Sequence, residues 1–260
     1  MQYQGLRTMR YAGIDIGSRT IELVVLNGGR IVESRQTDTG FDPITEAKKI
    51  MNGVAYDKIM ATGYGRNLFE IVFDDSKTVT EIKAHARGVR EFSPDARTIL
   101  DIGGQDSKAI ALNEKGRVQK FEMNDRCAAG TGKFIEIMAK NLGFSIDGFG
   151  PAALEAKNDL SINSMCTVFA ESEVTSLIAK GADRKEIARG LHLSVVKRAI
   201  GMINRVSSSG PIVFSGGVAK NPCIRELISI NLGREIFVHE NPQMTGALGA
   251  ALILEEENTN

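Results

Sequence analysis

The chain has 260 residues, 42% of them hydrophobic and 25% charged, and its 32 basic and 32 acidic side chains cancel to a formal net charge of zero. That balance excludes a nucleic-acid polyanion as the main partner, because no basic excess is available to neutralise phosphates. No apolar run approaches the roughly 20 residues that a membrane span needs. Met1–Arg10 lacks the apolar core of a signal peptide, so a cytoplasmic protein is expected. In that reducing compartment the three cysteines are expected as buried thiols, reactive groups or metal ligands rather than disulfides.

The first informative segment is Ile14-Asp15-Ile16-Gly17-Ser18-Arg19-Thr20, a short apolar strand entering a turn and leaving through Leu23-Val24-Val25-Leu26-Asn27. It is repeated downstream as Leu100-Asp101-Ile102-Gly103-Gly104-Gln105-Asp106, followed by Ala109-Ile110-Ala111-Leu112-Asn113. Both copies then turn through glycine, at Gly29-Arg30-Ile31 and Gly116-Arg117-Val118, with one residue of insertion between them. Two such hairpins predict two related sheets built by duplication. The turn chemistry suits a polyphosphate. Asp-x-Gly exposes backbone N–H groups, glycine lets phosphate approach, the Asp carboxylate can hold Mg²⁺, and Ser18 and Thr20 offer hydroxyl donors.

Between the copies, Thr39–Met51 and Thr80–Glu91 are predicted helices and Ala61–Arg66 a turn-rich loop containing Gly63-Tyr64-Gly65-Arg66. Helical spacing follows Cys127, beginning at Phe134, and also follows Cys166, through Val174, Leu177 and Ile178. Both cysteines therefore read as lying at helix starts, where the partial positive charge favours thiolate. Spacing alone favours small core residues, since no Cys-x-x-Cys pair marks a metal site. Glu171 and Glu173 fit either a tuning role or the first turn of that second helix. Asp183–Glu186 reads as a solvated helix start. Pro211–Phe214 is a predicted strand entering Ser215-Gly216-Gly217-Val218-Ala219-Lys220-Asn221 and then a helix over Pro222–Ile230, an arrangement that suits an adenosine lying on backbone. Thr245–Ala251 is a small-residue helix able to cross other backbone closely, or to serve as a hinge. The acidic tail Glu255–Asn260 is predicted to be disordered. His85, His192 and His239 are isolated and read as satisfied structural residues.

Three glycine turns in this order, closed by a small-residue helix, resemble the acetate/sugar-kinase, Hsp70 and actin superfamily over Tyr11–Leu254. The resemblance implies an α/β, two-lobed actin-like ATPase with ribonuclease H-like duplicated domains and a nucleotide cleft between the lobes. Residues 1–94 plus 244–260 would form one lobe and 95–243 the other. Asn124-Asp125-Arg126-Cys127-Ala128-Ala129-Gly130-Thr131-Gly132-Lys133-Phe134 and Cys166-Thr167-Val168-Phe169-Ala170-Glu171-Ser172-Glu173-Val174 narrow the match. They are similar to signature segments of the 2-hydroxyacyl-CoA dehydratase activators, within a wider group holding benzoyl-CoA reductase ATPase subunits and reductases of double-cubane-cluster proteins.

That resemblance implies ATP/ADP held by Asp15, Gly17, Ser18, Arg19 and Thr20, by Gly103 and Gly104, by Gly130, Thr131 and Gly132, and by Gly216, Gly217, Val218, Lys220, Asn221 and Gln243. Mg²⁺ would sit near Asp15 and Asp101. Gln105, with Asp106 as the alternative, would orient the attacking water. It also implies one [4Fe–4S] cluster shared by a homodimer through Cys127 and Cys166 of each subunit, and reoriented by ATP hydrolysis. Cys223, on a different element after the adenosine turn, reads as a buried thiol. The partners implied are an iron–sulfur acceptor such as a dehydratase or double-cubane-cluster protein, and ferredoxin or flavodoxin as donor. The pattern departs from the family at the first turn, where Arg19 and Glu22 replace part of a stretch that often carries lysine. A small-molecule kinase and a non-enzymatic actin-like assembly module are the competing classes.

Overall fold

The structure, a computed structural model, describes residues 9–162, 166–206 and 209–259. The expectation for Met1–Arg10 therefore lies largely outside the described residues. The elements in chain order are β1 (Arg10–Ile16), β2 (Thr20–Asn27), β3 (Arg30–Asp38), α1 (Pro43–Met51), β4 (Lys58–Thr62), α2 (Arg66–Val72), β5 (Ser76–Thr78) and α3 (Glu81–Phe92). Next come β6 (Thr98–Ile102), β7 (Ser107–Leu112), β8 (Val118–Asn124), α4 (Gly132–Asn141), α5 (Ile146–Leu154), α6 (Thr167–Ala179) and α7 (Arg184–Val206). The chain ends with β9 (Ile212–Ser215), a 3-10 turn at Gly217–Lys220, α8 (Pro222–Leu232), a second short 3-10 turn and α9 (Thr245–Thr259). Two compact units result, Met1–Pro94 with Gln243–Asn260, and Asp95–Pro242.

Each unit is built on one mixed sheet, ordered β3-β2-β1-β4-β5 in the first and β8-β7-β6-β9 in the second. The duplication read from the sequence is present in the register. In the first hairpin Asp15 lies opposite Glu22 and Ile16 opposite Ile21; in the second Asp101 lies opposite Lys108 and Ile102 opposite Ser107. Gly17 N–H donates to Thr20 O at 3.1 Å, and Gly103 N–H to Asp106 O at 3.0 Å. Even the bulges correspond, at Val25/Leu26 and at Ala111/Leu112. Parallel strands β4 and β9 then join β1 and β6 at equivalent places, putting Thr62 beside Asp15 and Ser215 beside Asp101.

Strands β1, β2, β6 and β7 are buried almost throughout, as expected for central strands covered on both faces. The core of the second unit gathers Leu100, Phe134, Phe149, Val195 and Phe214; burying each such side chain contributes about 1.5–3 kcal/mol. Helix α1 begins at Pro43, later than the predicted Thr39. Asp42 caps it by accepting from Ile44 and Thr45 N–H, and Pro43 suits the first helical position. Thr39 instead spends its hydroxyl on Gly17 O at 2.7 Å.

Helix α9 crosses β1 and α3 at very short range. A Cβ on Gly13 would stand 2.0 Å from Ala247 O, one on Gly88 2.1 Å from Thr245 O, and one on Gly249 1.8 Å from Ala84 O. The small-residue stripe is thus a packing device within the first unit. The acidic tail is a correction: α9 stays helical to Thr259, because Glu256 and Glu257 pair with Arg87 at 2.7 Å and Lys77 at 2.8 Å. Among the described residues, no helix is long and apolar enough to cross a membrane.

Candidate functional site

Asp15, the penultimate residue of β1, is a buried carboxylate in the first unit. Glycines shape its surroundings: a Cβ on Gly63 would fall 2.3 Å from its Oδ1, and one on Gly246 2.0 Å from its Oδ2. Any side chain at either position would fill the space around the carboxylate. A carboxylate in such a cradle offers hard oxygen donors of the kind Mg²⁺ takes. His85 Nε2 stands 3.9 Å from Asp15 Oδ2, so this histidine, read from sequence as a structural single, is gathered to the first turn by α3. Ser18 lies in that turn and Arg19 is exposed beside it, paired with Asp38 at 3.1 Å. Thr20 accepts from Gln243 Nε2 at 3.4 Å. Glu22 is buried and accepts from Gln36 Nε2 at 3.0 Å.

The Gly63–Arg66 loop, which the sequence left without a physical role, closes over the same turn. Gly65 N–H donates to Ile16 O at 2.9 Å. Arg66 Nη1 donates to Gly63 O at 3.0 Å and lies 3.7 Å from Glu81. Gly63 has a φ of +88°, a conformation in which glycine alone is unstrained.

In the second unit the hairpin tip carries exposed Gln105 between Gly104 and Asp106. Asp101 is buried, with Oδ1 accepting from Ser215 Oγ at 2.8 Å and Oδ2 3.5 Å from Lys108 Nζ. Lys108 Nζ also contacts Asp106 Oδ2 at 2.5 Å. Lys108 is the residue that sequence reasoning passed over, although its cross-strand place opposite Asp101 was available from the hairpin alignment.

Of Gly130, Thr131 and Gly132, Gly132 meets this turn, whereas a Cβ on Gly130 would stand 3.2 Å from Arg198 Cδ on α7. Gly132 N–H donates to Gly103 O at 2.9 Å and Lys133 N–H to Gly104 O at 2.7 Å. The start of α4 is therefore fastened to the second turn by backbone hydrogen bonds. Thr131 is its N-cap residue and is fully buried, its hydroxyl donating to Ala128 O at 2.6 Å. Val218 packs against the same glycine, 3.4 Å from where a Gly132 Cβ would be. Gly216 crosses Ile102 O and Asp101 at φ +84°, while Gly217 and Lys220 are exposed. Asn221 caps α8 by accepting from Ile224 N–H at 3.1 Å. Its Nδ2 lies 3.0 Å from His192 Nε2, and His192 Nδ1 contacts Ala188 O at 2.7 Å. Burial holds the His192 ring neutral, pushing its pKa down to about 4, so Nε2 accepts from Asn221 and fixes its amide.

The cysteines separate sharply. Cys166 is exposed and is the N-cap residue of α6. Cys127 is half-buried but does not begin a helix, a correction to the expectation. It lies in the loop ahead of α4, and Asn124 Nδ2 braces that loop through Cys127 O at 3.0 Å and Ala129 O at 3.3 Å. Cys223 is fully buried, and desolvation pushes its thiol up to about 12. Two accessible thiols per chain are soft donors of the kind that hold iron–sulfur clusters. Glu171 is tied to α4 through Asn141 Nδ2 at 2.8 Å. His239 accepts from Asn241 N–H at 3.1 Å.

The model of the BadF/BadG/BcrA/BcrD ATPase family matches residues 12–253. The chain belongs to that family. Within it, the activator of lactoyl-CoA dehydratase from Anaerotignum propionicum is 43% identical, covering 94% of this chain and 96% of that protein. The solved activator of the 2-hydroxyisocaproyl-CoA dehydratase from Clostridium difficile, with bound ADPNP, superposes with a TM-score of 0.88 at 40% identity, covering 96% and 95% of the two chains. Component A of the Acidaminococcus fermentans (R)-2-hydroxyglutaryl-CoA dehydratase gives 0.90 at 36%, covering 97% and 100%. The α/β actin-like ATPase fold expected from the sequence is the fold of this BadF-type chain.

Proposed function

We propose that this chain is an ATP-hydrolysing activator that delivers an electron to an iron–sulfur acceptor of the 2-hydroxyacyl-CoA dehydratase type. The observation that carries the reading is the fastening of α4 to the second phosphate turn, Gly132 N–H to Gly103 O and Lys133 N–H to Gly104 O. The same short segment contains Cys127, braced by Asn124. A displacement of the turn on nucleotide binding or hydrolysis is thereby transmitted to a thiol ligand through backbone, without flexible side chains. ATP needs only differential affinity for the two arrangements to drive that movement.

In this reading Asp15 holds Mg²⁺, the backbone N–H groups of both glycine turns and the hydroxyls of Ser18 and Thr20 face phosphate oxygens, and Gly216–Asn221 carries the adenosine. Gln105, exposed at the hairpin tip, orients the attacking water, with Asp106 as the alternative. A glutamine suits that task because a loose phosphoryl transition state requires positioning more than a strong base. A bound [4Fe–4S] cluster would supply one electron at low potential. The chain has three cysteines, and Cys223 is sealed in the core, so four thiolates require Cys127 and Cys166 from two subunits. Ferredoxin or flavodoxin serves as the donor, and a double-cubane-cluster protein is the alternative acceptor.

Iron, acid-labile sulfide and solution mass of anaerobically prepared protein test the proposal together. About two irons per chain in a dimer, lost in Cys127→Ser and in Cys166→Ser, is the expected result. An iron-free monomer after anaerobic reconstitution would sink it and leave a small-molecule kinase as the reading to pursue.

A further inference from the structure

The two duplicated hairpins have diverged at one equivalent position. Opposite Asp15 in the first stands Glu22; opposite Asp101 in the second stands Lys108. Cross-strand partners are the closest side-chain neighbours in an antiparallel pair, so the two carboxylates face contrasting electrostatic surroundings. Lys108 is only 2% exposed, and its ammonium lies 3.5 Å from Asp101 Oδ2 and 2.5 Å from Asp106 Oδ2. Ser215 Oγ occupies the other oxygen of Asp101 at 2.8 Å.

An ammonium is strongly hydrated, and its burial is tolerated only against opposite charge. Two carboxylates on one short turn repel each other unless a cation lies between them. Lys108 meets both requirements at once. It also bridges the strand end at Asp101 to the turn residue Asp106, next in the chain to Gln105. Asp101 has one oxygen held by Ser215 Oγ at 2.8 Å and the other facing Lys108 at 3.5 Å, so both oxygens are already engaged within the protein.

We propose that Lys108 is the fixed cation of the second phosphate turn: a positioning residue that holds Asp106, and through it the Gln105 tip, and that removes Asp101 from the magnesium ligands. Magnesium dependence then rests on Asp15 of the first turn. The inference rests on the nucleotide-hydrolysing reading above and deepens it by dividing labour between the duplicated aspartates.

Calorimetric titration of the purified chain with ADP, with and without Mg²⁺, tests the division. Asp15→Asn should abolish the gain in ADP affinity that Mg²⁺ gives the unaltered chain, whereas Asp101→Asn should keep that gain to within about twofold. Equal loss of the gain in both variants would overturn the inference while leaving the functional reading intact. Failure of the unaltered chain to bind ADP at all would overturn the functional reading, and this inference with it. For Lys108→Met, kcat for ATP hydrolysis should fall about 100-fold or more with KM changed less than about threefold. Because removing the ammonium leaves buried like charges, the double variant Lys108→Met with Asp106→Asn restores the balance. It should recover the thermal midpoint but not kcat. Recovery of kcat along with the midpoint, or an unchanged kcat in Lys108→Met, would show that the lysine acts on stability alone.

Discussion

Single residues carry two consequences that solution measurements can reach. His192 is buried and neutral, with its pKa pushed down to about 4 by desolvation. Above the ordinary value near 6.5 both folded and unfolded chains hold the ring neutral, so it makes no pH-dependent contribution. As pH falls below 6.5 the unfolded chain takes up a proton that the folded chain refuses, and stability declines until about pH 4. The full loss is about 3 kcal/mol, at 1.36 kcal/mol per pKa unit. Urea unfolding at pH 7.5 and 4.5 should show this component, and His192→Asn should remove it. The cysteines give the second test. In apo protein, iodoacetamide at pH 8 should label Cys166 first and Cys127 next. Cys223, buried with its thiol pushed up to about 12, should resist until denaturant is added. Peptide mass mapping reads all three. The pattern was half legible in the sequence: Cys223 as a buried thiol was read from its place after the adenosine turn, but the difference between an exposed Cys166 and a half-buried Cys127 depends on which loops cover them.

At the scale of elements, the closing helix is the most constrained part of the first unit. Gly249 leaves 1.8 Å between a notional Cβ and Ala84 O, and its three nearest atoms are all α3 backbone, so no flexible side chain can yield. Gly249→Val should therefore destabilise the chain by about 2–4 kcal/mol in chemical denaturation, the range of severe overpacking. Gly246→Ala acts on the site as well, since its methyl would stand 2.0 Å from Asp15 Oδ2. A drop of about tenfold or more in MgADP affinity, with smaller loss for ADP alone, is the expected result. The small-residue run announced close crossing in the sequence. Its partners, Ala84 and Gly88 on α3 and Gly13 on β1, were beyond reach because the contacts join residues distant in the chain.

For the whole molecule, the testable property is association. Val168 and Phe169 are 64% and 68% exposed in the first turn of α6, directly after exposed Cys166. If Cys166 shares a cluster with a second chain, as proposed, the apolar side chains beside it belong in a buried interface. Phe169→Glu should shift iron-loaded protein from dimer toward monomer in analytical ultracentrifugation while leaving the secondary structure seen by circular dichroism unchanged. A dimer that persists unaltered would argue against an interface on this helix.

The sequence by itself determined the duplication, the α/β class and the family. These are written in local patterns: alternating apolar strands, Asp-x-Gly turns and short ordered motifs, each of which folds much as it reads. It determined the positions of the turns as well, because Asp101, Gly103, Gln105 and Asp106 stand within one hairpin. Tertiary structure decided what those residues meet. It brought His85 to Asp15, His192 to Asn221 and Ser215 to Asp101, and it fastened α4 to the second turn. It also ordered the acidic tail, which composition marked as disordered, by supplying Arg87 and Lys77. The physical reason is the same throughout. Backbone geometry and hydrophobic period are local and survive in a one-dimensional reading, whereas charge compensation and steric closeness depend on residues that only folding brings together.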